Sequence, residues 1–323
     1  MQAPKSVKEV MMAVNKEVEE CTSNECVKRP EDGRFGTRVG VVGGLGEMGS
    51  LFARFFRERG YRVDVADRAT ERTNEELVRD SDIVIFAVPL HETENVIRSL
   101  APHVTSNHLL MDLTSLKSGP VREMLRSPAS VVGLHPMFGG RVSSFSGQTM
   151  VACPVRIDSH DWAGLREVFT QAGLRIKECT PEEHDRMMSI IQVLFHMTTM
   201  LVGRILRDLD VNIEETLEYT SPSYRIEMSL LGRIFAQNGI LYSAITQMNP
   251  HTREMIDLFR SGLDSYAKWY DEKDLSAFVR DFEHSSRHIG DFCRRAYQES
   301  SAVLDFAVRY ANENNGPREN ERS

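Results

Sequence analysis

Between residues 37 and 180 the apolar positions cluster into short runs separated by stretches of helical period. The runs read RVGVVG, YRVDVA, DIVIFAVP, HLLMDLT, SVVGLHP, QTMVACP and LRIKEC. Short runs this continuously apolar, rich in Val, Ile and Leu, are strands covered on both faces. Their alternation with helical segments predicts βαβ units and a mostly parallel sheet. From Pro181 the period changes, and apolar residues recur at helical spacing to about residue 311 with no further strand-like run. One helix is expected to start at TPEEHDRMM, with Thr180 as N-cap, Pro181 in the first turn and Glu182 and Glu183 at the positive helix end. Another is expected at SPSYRIEM, with Ser221 as N-cap and Pro222 at the first helical position. Before the sheet, residues 1–35 carry one amphipathic helix candidate (Val7, Val10, Met11, Val14, Val18) and a polar linker. After the helices, residues 312–323 read as a disordered polar tail. The expected units are therefore 1–35, 36–180, 181–311 and 312–323.

The first strand runs straight into GLGEMG, so Gly44, Gly46 and Gly49 satisfy G-x-G-x-x-G between a strand and the helix SLFARFFRERG. Glycines at these positions let the backbone turn tightly and approach a pyrophosphate at the helix N-terminus. This predicts a Rossmann-type dinucleotide-binding domain, with Leu45, Glu47 and Met48 completing the loop. Asp67 ends the second strand about twenty residues on, where a carboxylate accepts from ribose hydroxyls and repels a 2′-phosphate. NAD is expected over NADP, although Arg68 and Arg72 lie close by. Val88 and Pro89 end the third strand, where a nicotinamide packs, and Thr114 follows the fourth.

Composition narrows the class. With 39 Lys and Arg against 47 Asp and Glu, the net charge is −8, and nothing suggests a nucleic-acid surface. No uninterrupted apolar run approaches the ~20 residues of a membrane span, and the N-terminus carries no apolar signal core. The five cysteines form no C-x-x-C pair, which fits reduced thiols in a cytoplasmic protein. No metal site is expected. His284 and His288 are one helical turn apart but read as a surface face. Trp162 and Trp269 read as packing anchors, and Cys153 as core filling.

Ligands of open α/β sheets bind beyond the carboxyl ends of the strands. Ser115 follows HLLMDL and His135 follows SVVGL, on the cofactor's side. A neutral imidazole there can take a proton from a substrate hydroxyl as a hydride leaves the same carbon. In the helical half, a regular helix over 182–207 places His196 on one face with Ser189, Gln192 and Gly203, a polar stripe among Met, Ile, Leu and Val. That pattern reads as a lined site. His184 falls about 120° away and is a secondary candidate. Arg225 and Arg233 lie on the next helix as candidate carboxylate forks, the bland reading being an ion pair with Glu227. The apolar excess of these helices calls for a partner subunit.

GLHPMFG after a dinucleotide-binding half, DLTSLK before it, and the stretches EEHDRMMSIIQVLFH and SPSYRIEMSLLGRIFAQN together resemble the prephenate dehydrogenase family over residues 37–310. The likeness is strongest to bacterial enzymes fused to a chorismate mutase. The resemblance implies NAD(P)-dependent oxidative decarboxylation of prephenate to 4-hydroxyphenylpyruvate, for tyrosine biosynthesis. It implies His135 as acceptor of the ring-hydroxyl proton, with Ser115 hydrogen-bonding that hydroxyl or orienting the imidazole. It also implies Arg233 on a substrate carboxylate, His196 lining the pocket, and a homodimer through the helical domain. Tyrosine is a candidate feedback inhibitor. Residues 1–35 resemble the last helix of the mutase domain but are too short to supply mutase activity. Arogenate dehydrogenase, a silent NAD-binding regulator, and a hydroxyacid or imine reductase are the competing readings. The family often has another residue, such as proline, where this chain has Gly140, which leaves the loop after HPMFG open.

Overall fold

The computed structural model describes residues 36–314. The N-terminal helix candidate lies outside the described residues. Seven strands form one sheet: β1 (Arg38–Val42), β2 (Arg62–Ala66), β3 (Ile83–Phe86), β4 (Leu109–Asp112), β5 (Ser130–Pro136), β6 (Thr149–Arg156) and β7 (Arg175–Glu178). They fall on the seven apolar runs read above. The spatial order is β2-β1-β3-β4-β5-β6-β7. All neighbouring pairs are parallel except β5 and β6, which run antiparallel. The order reverses at β1 and β3, so the ligand crevice of this sheet opens there. Because β1, β3, β4 and β5 are parallel, their carboxyl ends share one edge.

Helices cover both faces of the sheet. On one side α1 (Glu47–Glu58) and α5 (Ser159–Gln171) bury Phe52, Phe55, Phe56, Trp162 and Phe169 against the strands. On the other, α2 (Asn74–Asp80), α3 (Leu90–Leu100) and α4 (Ser118–Met124) bury Leu77, Ile97, Leu100 and Met124. Each strand thus feeds two apolar layers, which is why its residues are apolar in succession rather than in alternation.

The helical half begins at Pro181, three residues beyond the end of β7. Thr180 caps α6 (Pro181–Met188) by accepting from the Glu183 amide, and Glu183 caps back to Thr180. The chain then passes through a π-helical turn, Ser189–Leu194, into α7 (Phe195–Asp208). This corrects the expected regular helix over 182–207, because a π turn holds an extra residue and rotates everything after it. Next come α8 (Ile213–Glu218), α9 (Pro222–Phe235), α10 (Gly239–Met248), α11 (Thr252–Glu272), α12 (Leu275–Ile289) and α13 (Phe292–Asn314). Ser221 caps α9 with Pro222 at its first position, as the sequence predicts. Helix α13 runs three residues past the expected start of the tail. The continuous helical path Pro181–Asp208 spans 28 residues, with a stretch of mean hydropathy 1.4 that is only 11% buried. By length and composition alone it could cross a membrane, contrary to the expectation from uninterrupted runs. Its first turns, however, are bonded into the sheet domain, as described next.

Candidate active site

The glycine loop leaves β1 through Gly43, whose φ of +81° is a left-handed conformation that glycine adopts at no steric cost. A Cβ on Gly44 would lie 2.5 Å from the Cβ of Val65, and one on Gly49 would lie 2.2 Å from the Gly43 carbonyl oxygen. These two glycines serve close packing of loop, strand and helix. Gly46 is different, since the nearest protein atom to an added Cβ is 3.4 Å away. The protein itself does not demand glycine there. Gly46 is also the N-cap of α1 and supplies no capping side chain, so first-turn amides face outward without one. An open glycine beside uncapped amides fits a pyrophosphate, and the loop can hold a dinucleotide. Val88 lies against Gly43, Pro89 is the N-cap of α3, and Met48 packs partly on the core.

Asp67 follows β2. Its carboxylate accepts from the Leu45 amide at 3.1 Å and from the Arg68 amide at 2.7 Å, which fixes it beside the loop. The Arg68 guanidinium turns away to pair with Glu92 at 2.6 Å. Arg72 pairs with Asp64 and Asp80. Arg68, expected at the cofactor, is thus neutralised by a carboxylate of α3. The loop after HPMFG closes on the same place. A Cβ on Gly140 would lie 2.7 Å from the backbone carbonyl carbon of Glu47, and Arg141 pairs with the Glu47 carboxylate at 2.7 Å. Gly140 therefore lets that loop rest on the first turn of α1.

His135 sits at the end of β5 and is 4% exposed. Its Nδ1 is 2.9 Å from Nε2 of His184, and Nδ1 of His184 is 2.8 Å from Oδ1 of Asp185. Asp185 Oδ1 also accepts the Lys117 amide at 2.7 Å, and its Oδ2 accepts the Ser118 amide at 2.9 Å. Asn249 donates its side-chain amide to the Asp185 carbonyl at 2.9 Å. Strand β5, the β4–α4 loop and helix α6 are thus tied into one buried chain. Burial pushes the Asp185 carboxyl up, but hydrogen bonds from His184, Ser118 and Lys117 outweigh it and hold it below the usual range. Burial first, then the neighbouring His184 and Lys117, keep His135 well below the ordinary imidazole value, so the ring is neutral at neutral pH. Burial lowers His184 too, against the pull of Asp185. His135 Nε2 has no hydrogen-bond partner among the described residues.

Under this chain lies a second one. The Lys117 ammonium pairs with Asp112 at the end of β4 and donates to the Leu134 carbonyl at 2.7 Å, with both side chains fully buried. This bond fixes the backbone immediately before His135. Thr114, expected at the cofactor, is buried, and its hydroxyl lies 2.5 Å from Asp112 and 2.8 Å from the Leu116 carbonyl. Its side chain therefore shapes the loop. Ser115 beside it is half-buried and has no hydrogen-bond partner among the described residues.

On the helical side, Gln192 lies in the π turn and His196 in the first turn of α7. Gln192 Oε1 and His196 Nδ1 are both buried without a partner among the described residues. Each such atom costs about 1–3 kcal/mol until something bonds it. The His196 ring packs edge-on against Tyr242 of α10 at 4.8 Å, and burial lowers its pKa. Tyr242 in turn lies within the electrostatic reach of Arg233. Arg225 is half-buried and Arg233 exposed, and neither forms an ion pair among the described residues, Glu227 included. Gly203 does not share the His196 site, because its Cα faces the Phe235 ring, 2.3 Å from where a Cβ would be.

The structure therefore joins His135 to His184, and Asp67 to the glycine loop, and it places His196 against Tyr242, which Arg233 reaches electrostatically. It shows no direct contact between His135 and His196. His184, expected as a secondary substrate contact, is buried and hydrogen-bonded to His135 and Asp185. Sequence reasoning missed Asp185 and Asp112 as parts of the site, and it placed Lys117 at the strand ends without its buried pairing to Asp112. The signals were an acid ending an otherwise apolar strand and a His-Asp pair in an amphipathic helix.

Two family models match: the nucleotide-binding domain of prephenate dehydrogenase over residues 53–178, and its dimerization domain over 180–284. The first match begins within α1, just past the glycine loop. The chain is 34% identical to the T-protein of Haemophilus influenzae, over 84% of this chain and 72% of that protein. It is 32% identical to a probable arogenate/prephenate dehydrogenase of Methanocaldococcus jannaschii, over 82% of this chain and 64% of that protein. Among solved structures, Synechocystis arogenate dehydrogenase superposes with a TM-score of 0.61 at 20% identity, covering 80% of this chain and 99% of that one. Prephenate dehydrogenase from A. aeolicus, in complex with hydroxyphenyl propionate and NAD+, gives 0.61 at 18% identity, covering 79% and 98%. The two family models together span both halves of the chain, and the chain belongs to the prephenate dehydrogenase family of oxidoreductases.

Proposed function

We propose that the chain oxidises and decarboxylates prephenate to 4-hydroxyphenylpyruvate with NAD+, working as a cytoplasmic homodimer in tyrosine biosynthesis. The observation that carries this reading is His135: neutral, buried, held at Nδ1 and open at Nε2, on the sheet edge that carries the glycine loop. NAD+, when bound, supplies the acceptor for the hydride that leaves the ring carbon bearing the hydroxyl. His135 Nε2 takes the hydroxyl proton as that carbon becomes a carbonyl. The bond to the ring carboxylate then breaks, its electron pair enters the ring, carbon dioxide leaves, and the proton returns from His135 to the phenolic oxygen. Aromatisation drives the step, so the protein chiefly orients the reactants and moves one proton. Ser115 is placed to hydrogen-bond the same hydroxyl.

Substrate recognition falls to the helical side. Prephenate carries two carboxylates, and Arg233 and Arg225 offer guanidinium groups with no ion-pair partner among the described residues. The unpaired Gln192 Oε1 and His196 Nδ1 supply further polar contacts. Asp67 beside the loop, with Arg68 occupied by Glu92, favours a ribose hydroxyl over a 2′-phosphate and hence NAD+ over NADP+. The apolar faces left open on α7 and α12 support a dimer. Tyrosine, which shares the ring and a carboxylate with the substrate, would compete through Arg233 and His196.

The test is NAD(P)H formation with prephenate and with arogenate, each with NAD+ and NADP+, in the purified chain and in His135→Asn. Prephenate turnover with NAD+, reduced about 10²–10⁴-fold in the variant, is expected. Turnover of arogenate alone would move the substrate assignment, and no turnover in any pairing would reject the reading.

A further inference from the structure

The hydrogen bonds behind His135 decide which of its nitrogens carries the proton. Asp185 accepts two backbone N–H groups, one on each oxygen, so both oxygens act as acceptors. An ionised carboxylate can only accept. His184 Nδ1, 2.8 Å from Oδ1, must therefore carry hydrogen. A neutral imidazole has one N–H, so His184 Nε2 is left as a lone pair. That lone pair lies 2.9 Å from His135 Nδ1, which must then be the donor. The remaining nitrogen of His135, Nε2, is the lone pair.

Resting on the function proposed above, we propose that His184 and Asp185 are positioning residues that lock His135 in its Nδ1–H tautomer. The base that faces the substrate is thereby preset. When Nε2 takes a proton, the positive charge is shared through Nδ1–H and His184 toward the Asp185 carboxylate. Lys117 beside it is held by Asp112 and the Leu134 carbonyl. The arrangement explains why a histidine buried at 1% exposure stands next to an aspartate in the first turns of α6. It needs helix and sheet together: β5 brings His135, α6 brings the pair, and the amides of the β4–α4 loop orient the carboxylate.

The experiment combines histidine ¹⁵N spectroscopy with kinetics. In the wild-type protein His135 is expected to show a protonated Nδ1 and an unprotonated Nε2. In His184→Ala that preference should be lost, and kcat should fall roughly 10²-fold while both KM values stay within about twofold. His184→Gln, whose side-chain oxygen can accept from His135 Nδ1, should restore most of the rate. NAD+ binding by calorimetry reports whether each variant is folded. A wild-type His135 protonated at Nε2 would overturn the proposal. So would a His184→Ala variant with raised prephenate KM and unchanged kcat, the sign of a substrate contact. The tautomer is read without turnover, so an enzyme inactive on prephenate and arogenate would sink the functional reading while the spectra still decided this one.

Discussion

The two halves of the chain bury their apolar residues by different means. In the sheet domain β3, β4 and β5 are buried at every position, and the aromatic faces of α1 and α5 close over them. In the helical domain neither α7 nor α9 has one buried residue, and Phe195 and Phe282 are 65% and 68% exposed. Both halves carry amphipathic helices of ordinary pattern. An apolar stripe states that a helix needs cover, but it does not state from which chain the cover comes. The sheet domain finds cover within itself, and the helical domain holds its stripes out. At the seam, His135 lies on the self-contained half, and the buried Gln192 and His196 atoms without a partner among the described residues lie on the open one.

The largest effect is expected at the seam's sheet side. Lys117→Met leaves the Asp112 carboxylate buried without its cation, and breaking such a pair costs about 3–5 kcal/mol. It also frees the Leu134 carbonyl next to His135. Chemical denaturation should show this loss, with activity falling further than stability alone explains. A loss under ~1 kcal/mol would mean that the pair is not the sheet domain's internal anchor.

The contrast itself is tested by a pair of phenylalanines. Phe169→Ala opens the closed core and should cost about 3–5 kcal/mol at any protein concentration. Phe282→Ala should cost little in a dilute monomer, within about 0.5 kcal/mol, and more as concentration rises and copies associate. Glutamate at both Phe195 and Phe282 should shift the mass by light scattering from dimer to monomer. Equal, concentration-independent costs for the two alanine variants would show that the helical domain is covered from within.

The same division explains what the sequence disclosed. The seven strands were legible because each is a local apolar run, and the caps at Thr180 and Ser221 because capping is read within four residues. The glycine loop, Asp67 and His135 were legible because topology sends strand ends to one edge. The partner of His135 was not, since His184 is 49 residues away and the intervening register passes through two domains. A projection at 100° per residue also fails across the π turn, which no local propensity announces. Thr114 and Arg68 looked like ligand contacts because their backbone positions are right. Their side chains are spent on Asp112 and Glu92, a matter of packing that spacing cannot reveal.

Acid should act on the seam before it acts on either half. Burial first, then neighbouring positive charge, lowers His135 far below its ordinary value of 6.5, and burial lowers His184. Below about pH 6.5 the unfolded chain binds these protons and the folded chain does not. Stability therefore falls as pH falls, by up to about 1.4 kcal/mol per pH unit for each such histidine. Asp185, whose folded pKa is depressed, contributes stability that is lost only at lower pH still. Denaturant midpoints measured from pH 7.5 to 5 should decline from near 6.5, with a shallower slope in His135→Asn. Activity should keep its plateau below 6.5, because the base stays unprotonated there. A stability profile flat to pH 5 would contradict the neutral, buried pair.

The smallest effect is expected where the loop of the sheet domain touches its own cofactor site. Gly140 lies against the Glu47 backbone, and an added Cβ would come within 2.7 Å of it. The contact is with main chain, so no side-chain rotation relieves it, but the loop is exposed at Arg141 and can lift. Gly140→Ala should therefore cost about 1 kcal/mol at most in stability, below the usual range for overpacking a closed core. Lifting the loop separates Arg141 from Glu47 and leaves an unbalanced carboxylate at the first turn of α1, beside the place of the pyrophosphate. NAD+ affinity should fall by about threefold to tenfold, and prephenate KM should not move. If instead prephenate KM rose while NAD+ binding held, the loop would belong to the substrate's side of the seam. The self-contained half would then contribute more to recognition than its closed core suggests.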